Sequence, residues 1–348
     1  MKICIVSVYN SENCGSFLQA YALGKKIEQL GHEVCYLERK IKGIGTLTIP
    51  VMKVLAKSII TGNFGNASLK LKFHRNCKKD VKNFRTISFK EAMESVDCFI
   101  LGSDTVWYLD NKYFFENKEK YWGTIFKGKK VISYAPSMND TKITTIRKSD
   151  FVIDALKNIS AISVRDEYSK KLISSETNKD ITIVCDPTLL HEIDFYKSIQ
   201  KKCDYKDFIL IYAFRDFCSK AQQESIIRYA KKHNKKIISF GVNRSWCDIS
   251  VPFDNLSLTS YFENADYVLT NTFHGTIFSI LYKKQFVDFG KNSRKVCELL
   301  NQFKLVDRNV NKEENIDELL ETNIMFEEVD KILKLIRESS IKYLRHSL

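Results

Sequence analysis

The stretch YVLTNTFHGTIFSIL, residues 267–281, decides how this chain folds. Its first three residues are apolar and of the kind that strands favour, whereas the apolar residues from 277 onward recur at helical spacing. A strand therefore passes into a helix within the stretch, and His274 and Gly275 lie at that passage. In an open α/β sheet this is the carboxyl end of a strand, where ligands bind, and the free N–H groups of the following helix favour an anion.

His274 is the leading candidate for a catalytic group, because a histidine exchanges protons near neutral pH. Gly275 would let a ligand approach the backbone closely, and Thr276 would add a hydroxyl donor. The competing interpretation is a histidine that only caps the helix or fills the core.

Apolar runs typical of strands alternate with helical patterns along the rest of the chain. The first set has strands at 2–8, 33–37, 97–101, 130–135, 160–164 and 181–185 and helices at 16–30, 143–157 and 167–175; the second has strands at 207–213, 235–240, 267–270 and 285–288 and helices at 219–232, 275–282, 293–302 and 313–321. This βαβ order predicts parallel sheets covered by helices. We therefore expect an α/β protein with two doubly wound, Rossmann-like domains facing a cleft.

Breaks in the pattern suggest the domain limits. A charged stretch around 197–207 separates residues 1–200 from residues 201–325. A basic helical and loop insertion occupies about 40–95 of the first domain, with glycines as breakers. Residues 326–348 have the spacing of an amphipathic helix, which more often packs on its own protein than on lipid.

The loop after the first strand repeats the arrangement around His274. It contains Asn13, Gly15 and Ser16 just before a predicted helix, so backbone N–H groups would again point towards the cleft. Only one glycine is in place, and without Gly-x-Gly-x-x-Gly the loop does not favour a nicotinamide cofactor. The alternative is a helix start with Ser16 as a cap and Asn13 as a turn residue.

Three further strand ends carry polar or aromatic residues. Ser103 and Asp104 offer a hydroxyl and a carboxylate, and Trp107 offers an apolar face of the kind that stacks on a sugar. Tyr134 ends the next strand and could line the cleft. Arg165 follows another apolar run, and an arginine suits bidentate binding of a carboxylate or phosphate. Turns, caps and surface ion pairs would explain the same residues without a ligand.

The net positive charge limits the classes of partner that the sequence predicts. The chain has 55 Lys or Arg residues and 42 Asp or Glu residues, a formal net charge of +13, and residues 53–90 hold ten of these cations with one acid, Asp80. Unless it is only a solvated helical face, such a stretch attracts an anionic membrane surface or a diphosphate-bearing substrate. No nucleic-acid-binding motif accompanies it, so we expect no nucleic-acid partner.

The cysteines and the hydropathy predict the compartment. The ten cysteines form no Cys-x-x-Cys pair, and several lie in strand-like runs, so we expect reduced thiols and no metal site. No stretch approaches about 18 uninterrupted apolar residues, and residues 1–8 are typical of a core strand rather than a signal peptide. We expect a cytoplasmic protein, with peripheral contact at the inner face of the cell membrane.

Five separated blocks, taken together, resemble a known family. They are NSENCGSFLQAYAL (10–23), FILGSDTVW (99–107), SYAPS (133–137), SVRD (163–166) with DPTLL (186–190), and the Phe-His-Gly block itself. In this order and at these distances they resemble the polysaccharide pyruvyl transferases. The resemblance implies two domains similar to the glycosyltransferase-B fold, with the helix at 326–348 returning to the first domain.

The resemblance also implies a reaction and roles for the candidate residues. Pyruvate would pass from phosphoenolpyruvate, the donor substrate, to two hydroxyls of a sugar in a cell-surface polysaccharide or its lipid-linked precursor, forming a cyclic ketal without a cofactor. His274 would be the general acid and base. The donor would be bound by Arg165, Gly275, Thr276, Thr272 and Arg294, and the acceptor by Asn13, Gly15, Ser16, Ser103, Asp104, Trp107 and Tyr134.

One departure concerns the donor. Many members of the family carry an arginine two positions before the histidine, where this chain has Thr272; Arg294 or Lys291 could replace it. Two alternatives stay open: a nucleotide-sugar-dependent glycosyltransferase of the same fold, and a non-catalytic glycan- or lipid-binding homologue. The acceptor sugar, its linkage and the oligomeric state are not indicated by the sequence.

Overall fold

A computed structural model of the protein describes residues 1–11, 13–39 and 64–348. Within this part of the chain, two parallel five-stranded sheets have the orders β3-β2-β1-β4-β5 and β10-β9-β8-β11-β12. The strands are β1 (Lys2–Val6), β2 (Glu33–Leu37), β3 (Thr86–Ile87), β4 (Cys98–Leu101), β5 (Lys130–Ser133), β6 (Ile162–Val164), β7 (Ile181–Ile183), β8 (Phe208–Tyr212), β9 (Lys236–Phe240), β10 (Ile249–Val251), β11 (Ala265–Thr270) and β12 (Gln285–Asp288).

Helices connect the strands, as parallel pairing requires. They are α1 (Cys14–Gln29), α2 (Phe64–Asp80), α3 (Phe89–Ser95), α4 (Lys112–Glu116), α5 (Lys118–Tyr121), α6 (Ile143–Arg147), α7 (Phe151–Asn158), α8 (Glu167–Ile173), α9 (Ile193–Ile199), α10 (Lys220–Lys232), α11 (Leu258–Asn264), α12 (Phe273–Leu281), α13 (Arg294–Gln302), α14 (Asp317–Glu321) and α15 (Phe326–Ser347). The predicted α/β class with two Rossmann-like sheets is thereby confirmed.

The first sheet continues through β6 and β7. These two strands pair in parallel, and a bridge between Ile132 and Ala161 joins them to β5. Residues after β1, β4, β6 and β7 consequently lie along one edge of a single layer, where ligands of such sheets bind.

Alternate residues of the strands fill three cores, two of them on the faces of the first sheet and the third on the outer face of the second sheet. Ile3 and Ile5 point to one face of β1, and Cys4 and Val6 point to the other. The core that contains Ile3 is continuous with side chains of the second sheet, whereas the core that contains Cys4 lies under α4 and α5. Burial on both faces explains why the strands are uninterrupted apolar runs.

Several predicted elements differ from the structure. The helix expected at 143–157 is split into α6 and α7, because Ser149 donates from its backbone N–H to Ile146 and from its hydroxyl to the Thr145 carbonyl. The helix expected at 313–321 begins only at Asp317. The short strands β3 and β10 and the helix α11 were not predicted, and residues 40–63 of the expected insertion lie outside the described residues.

Two helices bridge parts of the chain that are distant in sequence. Asp80, at the end of α2, accepts from Asn255 at 3.1 Å, so α2 contacts loops of the second sheet. In α15, Ser340 accepts from the Cys185 N–H at 2.9 Å and Tyr343 donates to the Ser133 carbonyl at 2.9 Å, so α15 contacts the first sheet. The domain limits near 200 and 325 stay predictions.

Among residues 1–11, 13–39 and 64–348, no helix combines the length and the apolar character needed to cross a membrane.

Candidate active site

The passage from β11 to α12 places His274 in the first turn of a helix. β11 ends at Thr270, and α12 begins at Phe273 with Thr272 as its N-cap. The Thr272 hydroxyl accepts from the Gly275 N–H at 2.9 Å, which satisfies one free N–H group of the helix end. His274 is 8% exposed, so a small part of the ring remains accessible.

Two side chains at the edge of the first sheet lie beside His274. Asp186 Oδ2 lies 3.6 Å from His274 Nε2 and accepts from Arg165 Nη1 at 2.9 Å. Burial alone would raise the pKa of Asp186, but the positive charges of His274 and Arg165 outweigh it and hold the pKa well below its usual range. An ionised Asp186 therefore keeps an arginine and a histidine together.

This arrangement leaves buried donors without a protein partner. Among the described residues, Nε and Nη2 of Arg165 and Nε2 of His274 make no hydrogen bond. Unsatisfied buried groups are costly, and an anion that accepts from them would remove that cost. The Arg165 guanidinium also lies 4.2 Å from the centre of the Phe273 ring, which restrains its plane. The group is preorganised for a carboxylate or a phosphate.

The first turn of α1 closes another side of His274. A Cβ atom added to Gly15 would lie 2.8 Å from Cε1 of His274 and closer still to two other ring atoms, so this position requires glycine. Ser16 Oγ donates to Asp104 Oδ2 at 2.7 Å. Burial raises the pKa of Asp104, but the charges of Arg165 and His274 and the Ser16 hydrogen bond together leave it lowered. Asp104 is thus a second carboxylate in this group.

A cavity of about 380 Å³ opens beside Arg165. Arg165, Asp186 and Phe273 belong both to its wall and to the surroundings of His274, and the remaining wall comes from the residues after β6 and β7 and from α13. Its volume suits a small molecule, and its cations suit an anionic one.

Lys295 is a site residue that the sequence analysis missed. It lines this cavity, and its Nζ lies 6.0 Å from the centre of the Phe273 ring, which Arg165 also contacts. Burial, and after it the charge of Arg165, lowers the pKa of Lys295. The helical spacing of Lys295 with Leu299 and Gln302, which line the same cavity, was the signal in the sequence that could have identified it.

The predicted substitutes for the family arginine lie elsewhere. The Arg294 guanidinium stacks 3.5 Å from the centre of the Tyr168 ring, and Lys291 forms an ion pair with Glu314. Neither residue lines the cavity beside Arg165. The interpretation of Arg294 and Lys291 as donor ligands is therefore wrong for this cavity, and Lys295, the next residue along α13, is positioned there instead.

Three residues of the Phe-His-Gly block have structural partners rather than free donors. Thr272 caps α12, and a Cβ atom added to Gly275 would lie 2.8 Å from Cβ of Thr270 and closer to the hydroxyls of Thr270 and Thr272. Gly275 therefore allows the helix to pack against the end of its strand and does not face a ligand. Thr276 is fully buried. None of the three is placed to bind the donor directly, contrary to the sequence interpretation.

The partner of Thr276 is a buried carboxyl group on β12. The Thr276 hydroxyl lies within donating distance of both the Thr272 carbonyl, at 3.0 Å, and Asp288 Oδ2, but its single proton can go to only one of them at a time. Both contacts are satisfied when Asp288 is protonated and donates. Burial raises the pKa of Asp288 to about 7, despite hydrogen bonds from Thr276 and the Gly290 N–H.

Trp107 does not form a sugar platform. It is fully buried, its ring centre lies 4.4 Å from that of Trp122, and its indole N–H donates to the Tyr121 carbonyl at 3.0 Å. No face of the ring is open to a ligand, so the sequence interpretation of Trp107 is wrong.

The other predicted acceptor residues differ in their surroundings. Tyr134 donates to the Cys185 carbonyl at 3.1 Å, Ser103 is bonded to Gln19, and both are fully buried, so neither can contact an acceptor. Asn13 caps α1 by accepting from two of its N–H groups. Gly15, Ser16 and Asp104 do lie beside His274, and their acceptor role stays a prediction.

In the described part of the chain, no three His, Cys, Asp or Glu residues are grouped in a way that could hold a metal ion.

Comparisons with known proteins identify the family and the fold. A family model described as polysaccharide pyruvyl transferase matches residues 13–289. The fold is similar to that of a Listeria monocytogenes protein assigned as a UDP-N-acetylglucosamine 2-epimerase (10% identity, TM-score 0.53, 99% of this chain and 90% of that one). It is also similar to UDP-GlcNAc 2-epimerase from Methanocaldococcus jannaschii (11%, 0.50, 97% and 92%). No curated protein sequence matches.

At these identities the two epimerases show the fold alone: two facing Rossmann-like sheets of the glycosyltransferase-B type.

Proposed function

The chain belongs to the polysaccharide pyruvyl transferase family, and from this premise we propose that it transfers pyruvate from phosphoenolpyruvate to two hydroxyls of one sugar residue. The family implies a transferase with a saccharide acceptor. A cell-surface polysaccharide, or its lipid-linked precursor, is the proposed acceptor. The observation that supports the donor is the pair of unpartnered Arg165 nitrogens beside Lys295 in one cavity.

Phosphoenolpyruvate carries two anionic groups, and the cavity presents two cations. Arg165 has two free N–H donors in one plane, which match a carboxylate or a phosphate. Lys295 Nζ lies 6.0 Å from the centre of the Phe273 ring that Arg165 also contacts, and it supplies a compact second charge. We assign these two residues to the donor.

The proposed reaction needs one proton donor and one proton acceptor at the same place. His274 protonates C3 of the enol, C2 becomes electrophilic, and the first sugar hydroxyl adds to C2 and loses its proton. The C2–O bond to phosphate then breaks, and phosphate leaves with its electron pair. The second hydroxyl adds to C2, its proton passes to the departing phosphate, and the ketal closes. His274 Nε2, buried without a hydrogen-bond partner and 3.6 Å from Asp186, is suited to give a proton and to take one back.

Asp104 and Ser16 are the proposed acceptor contacts. Asp104 has a lowered pKa and lies beside His274, so it is ionised and can accept from a sugar hydroxyl. Its Oδ2 already accepts from Ser16, and Oδ1 accepts from the Thr105 N–H at 2.8 Å, which fixes the carboxylate plane.

A nucleotide-sugar glycosyltransferase is the second candidate. The supporting observation is the fold, which this chain shares with enzymes named for UDP-N-acetylglucosamine. In that reaction Arg165 and Lys295 would hold a diphosphate. The two candidates differ in the ligand that should stabilise the protein.

The deciding experiment is thermal unfolding with phosphoenolpyruvate and with a panel of nucleotide diphosphates. A ligand at 100 times its Kd adds about 2.7 kcal/mol to the free energy of unfolding. We expect phosphoenolpyruvate to raise the Tm of the wild type and of Lys291→Ala, and to lose this effect in Lys295→Ala. Stabilisation by a nucleotide alone would favour the glycosyltransferase. Phosphate release from phosphoenolpyruvate in the presence of acceptor then tests turnover, which should vanish in His274→Ala.

We also propose peripheral contact with an anionic membrane through α2. Lys72, Arg75 and Lys79 are exposed, and their spacing puts them on one side of the helix. None of them pairs with a carboxylate of the described residues, and the one acid of α2, Asp80, is buried. Lipid-linked acceptors are presented at such a surface.

Vesicle sedimentation tests this contact. Each basic residue near an anionic surface contributes about 1 kcal/mol, so Lys72→Glu with Lys79→Glu should weaken binding to phosphatidylglycerol vesicles at least about thirtyfold. Lys231→Glu with Lys236→Glu changes the net charge equally at another exposed place and should have little effect. Equal losses in both variants would mean that net charge, rather than α2, determines binding.

A further inference from the structure

A second pocket, of about 540 Å³, lies at the carboxyl ends of β2 and β3 and shares no lining residue with the cavity beside Arg165. Its walls are the residues just after β2, the start of α3, and α4 and α5. This is the edge at which open parallel sheets bind ligands, and the pocket has no role in the reaction described above.

Arg39 is held in this pocket by partners that are not acidic. Its Nε donates to the Tyr113 hydroxyl at 2.8 Å, and its Nη1 donates to Asn10 Oδ1 at 2.9 Å. The guanidinium lies 4.9 Å from the centre of the Tyr113 ring, and the Arg39 N–H donates to the Tyr9 hydroxyl at 3.2 Å. Nη2 has no partner among the described residues. The described residues thus fix the side chain without providing an acceptor for this last nitrogen.

Lys120 brings a second cation to the same pocket. Its Nζ donates to the Glu38 backbone carbonyl at 2.8 Å, and burial followed by the charge of Arg39 lowers its pKa to about 8. The Glu38 side chain lines the pocket but is exposed and forms no ion pair with either cation. Within the described residues, two partly desolvated cations therefore lie together without a bound carboxylate, which costs free energy that an anion would offset.

The rim of the pocket adds an apolar surface. Phe89, at the start of α3, is 46% exposed and lines the same pocket as Arg39 and Lys120. An exposed aromatic face next to polar groups suits a sugar ring.

We propose that this pocket binds a phosphate or diphosphate group attached to the sugar of the acceptor, with Arg39 and Lys120 on the phosphate and Phe89 against the sugar. As an acceptor subsite it rests on the proposed function. The segment after β1 contacts both places, because Asn10 holds Arg39 and Gly15 lies against His274. A phosphorylated saccharide in this pocket would be positioned by the same segment that lies against the catalytic histidine.

The test is site-specific acylation of lysines at pH 8, quantified by peptide mass spectrometry. The lowered pKa makes Lys120 more reactive than ordinary lysines, and a bound anion would restore its charge. We expect inorganic pyrophosphate and glucose 1-phosphate to slow labelling of Lys120 about fivefold, because a rise of its pKa from about 8 to about 9 reduces the unprotonated fraction at pH 8 by about that factor. Exposed Lys127 is the internal control and should not change. In Lys295→Ala, whose donor cavity is impaired, the two phosphates should still protect Lys120 from acylation.

Other outcomes would overturn the assignment. Labelling of Lys120 that is unaffected by either phosphate means that the pocket holds no anion. Protection that disappears in Lys295→Ala means that the effect comes from the donor cavity. Protection by phosphatidylglycerol vesicles alone means that the cations face lipid headgroups.

Steady-state kinetics test the proposed acceptor subsite separately from the proposed pyruvyl transfer reaction. With a phosphorylated acceptor, Lys120→Gln should raise the acceptor KM about tenfold, the loss of one charge-assisted hydrogen bond, and leave the KM for phosphoenolpyruvate unchanged. Lys120→Arg should restore the lower KM. An unchanged acceptor KM in Lys120→Gln would refute the acceptor role. If no acceptor supports phosphate release, the proposed function fails while the labelling result stands.

Discussion

The ion pair between Arg165 and Asp186 allows the donor site to be tested apart from the stability of the fold. Their side chains are 3% and 1% exposed, and the N–O distance is 2.9 Å. Removing one partner of such a pair leaves an uncompensated buried charge, which typically costs about 3–5 kcal/mol. Arg165→Gln and Asp186→Asn should therefore each be strongly destabilised, whereas the double variant leaves two neutral amides that can bond to each other. We expect the double variant to recover about 2–3 kcal/mol of the summed losses.

The pH dependence of Arg165→Gln has a definite sign. In the wild type the pKa of Asp186 is depressed, so its contribution to stability is present above the unfolded pKa and is lost as the pH falls. Without Arg165, burial is opposed chiefly by His274, and the pKa of Asp186 should rise. The stability lost in Arg165→Gln should then be largest at neutral pH and shrink as Asp186 takes up a proton.

Urea unfolding followed by tryptophan fluorescence measures these differences, because Trp107 and Trp122 are buried in a core of the first sheet. The Tm shift with phosphoenolpyruvate is measured on the same samples. The shift should be absent in Arg165→Gln and in the double variant, although the double variant is folded. Strict additivity of the two single losses would show that the charges are not coupled. A wild-type shift in the double variant would show that Arg165 does not bind the donor.

Two further predictions concern buried positions near His274. Gly15→Ala should move the imidazole by about 1 Å and lower the rate of phosphate release about 100-fold, because a Cβ atom there would meet the ring at 2.8 Å or less where ordinary contact begins at 3.4 Å. The control is Gly128→Ala, which meets nothing within 4 Å and carries only the backbone strain of a φ of +75°, away from His274. Equal rates in the two variants would contradict the reasoning. Asp288→Asn mimics the protonated carboxyl. Since the folded-state pKa of Asp288 is raised from 3.8 to about 7, its stabilising contribution is fully present below the unfolded pKa and is lost as the pH rises through 7. The variant should lack this slope and gain up to about 4 kcal/mol at pH 8 in urea unfolding, and a variant less stable than the wild type at pH 8 would contradict the raised pKa of Asp288.

The sequence predicted the layers well, because they depend on local periodicity. Parallel strands buried on both faces are unbroken apolar runs, and nearly every such run is a strand in the structure. His274 was located for the same reason, since the change from strand to helix is visible in the residues themselves. The two-residue strand β3 was missed because it has too few residues to show a period.

The side chains of the site were harder to predict, because their orientation depends on distant residues. Trp107 follows a strand end just as Arg165 does, but it turns inward to stack on Trp122, a contact made only in the folded chain. Lys295 and Arg294 are adjacent in sequence, and the phase of α13 against the cavity decides which of them faces it. The sequence pattern located the strand ends correctly, but it could not predict which side chains at those ends would be accessible to a ligand.

The site is built across the two sheets, and this has a consequence for how the donor binds. Arg165 and Asp186 follow strands of the first sheet, whereas His274 and Lys295 belong to helices of the second. Asp186 contacts His274 across this boundary, so the charge that fixes Arg165 also fixes the position of the histidine relative to it. A donor bound by Arg165 and Lys295 together would therefore bridge the first and second sheets, as the Asp186–His274 contact does. On this geometry, binding of the donor and alignment of His274 are coupled.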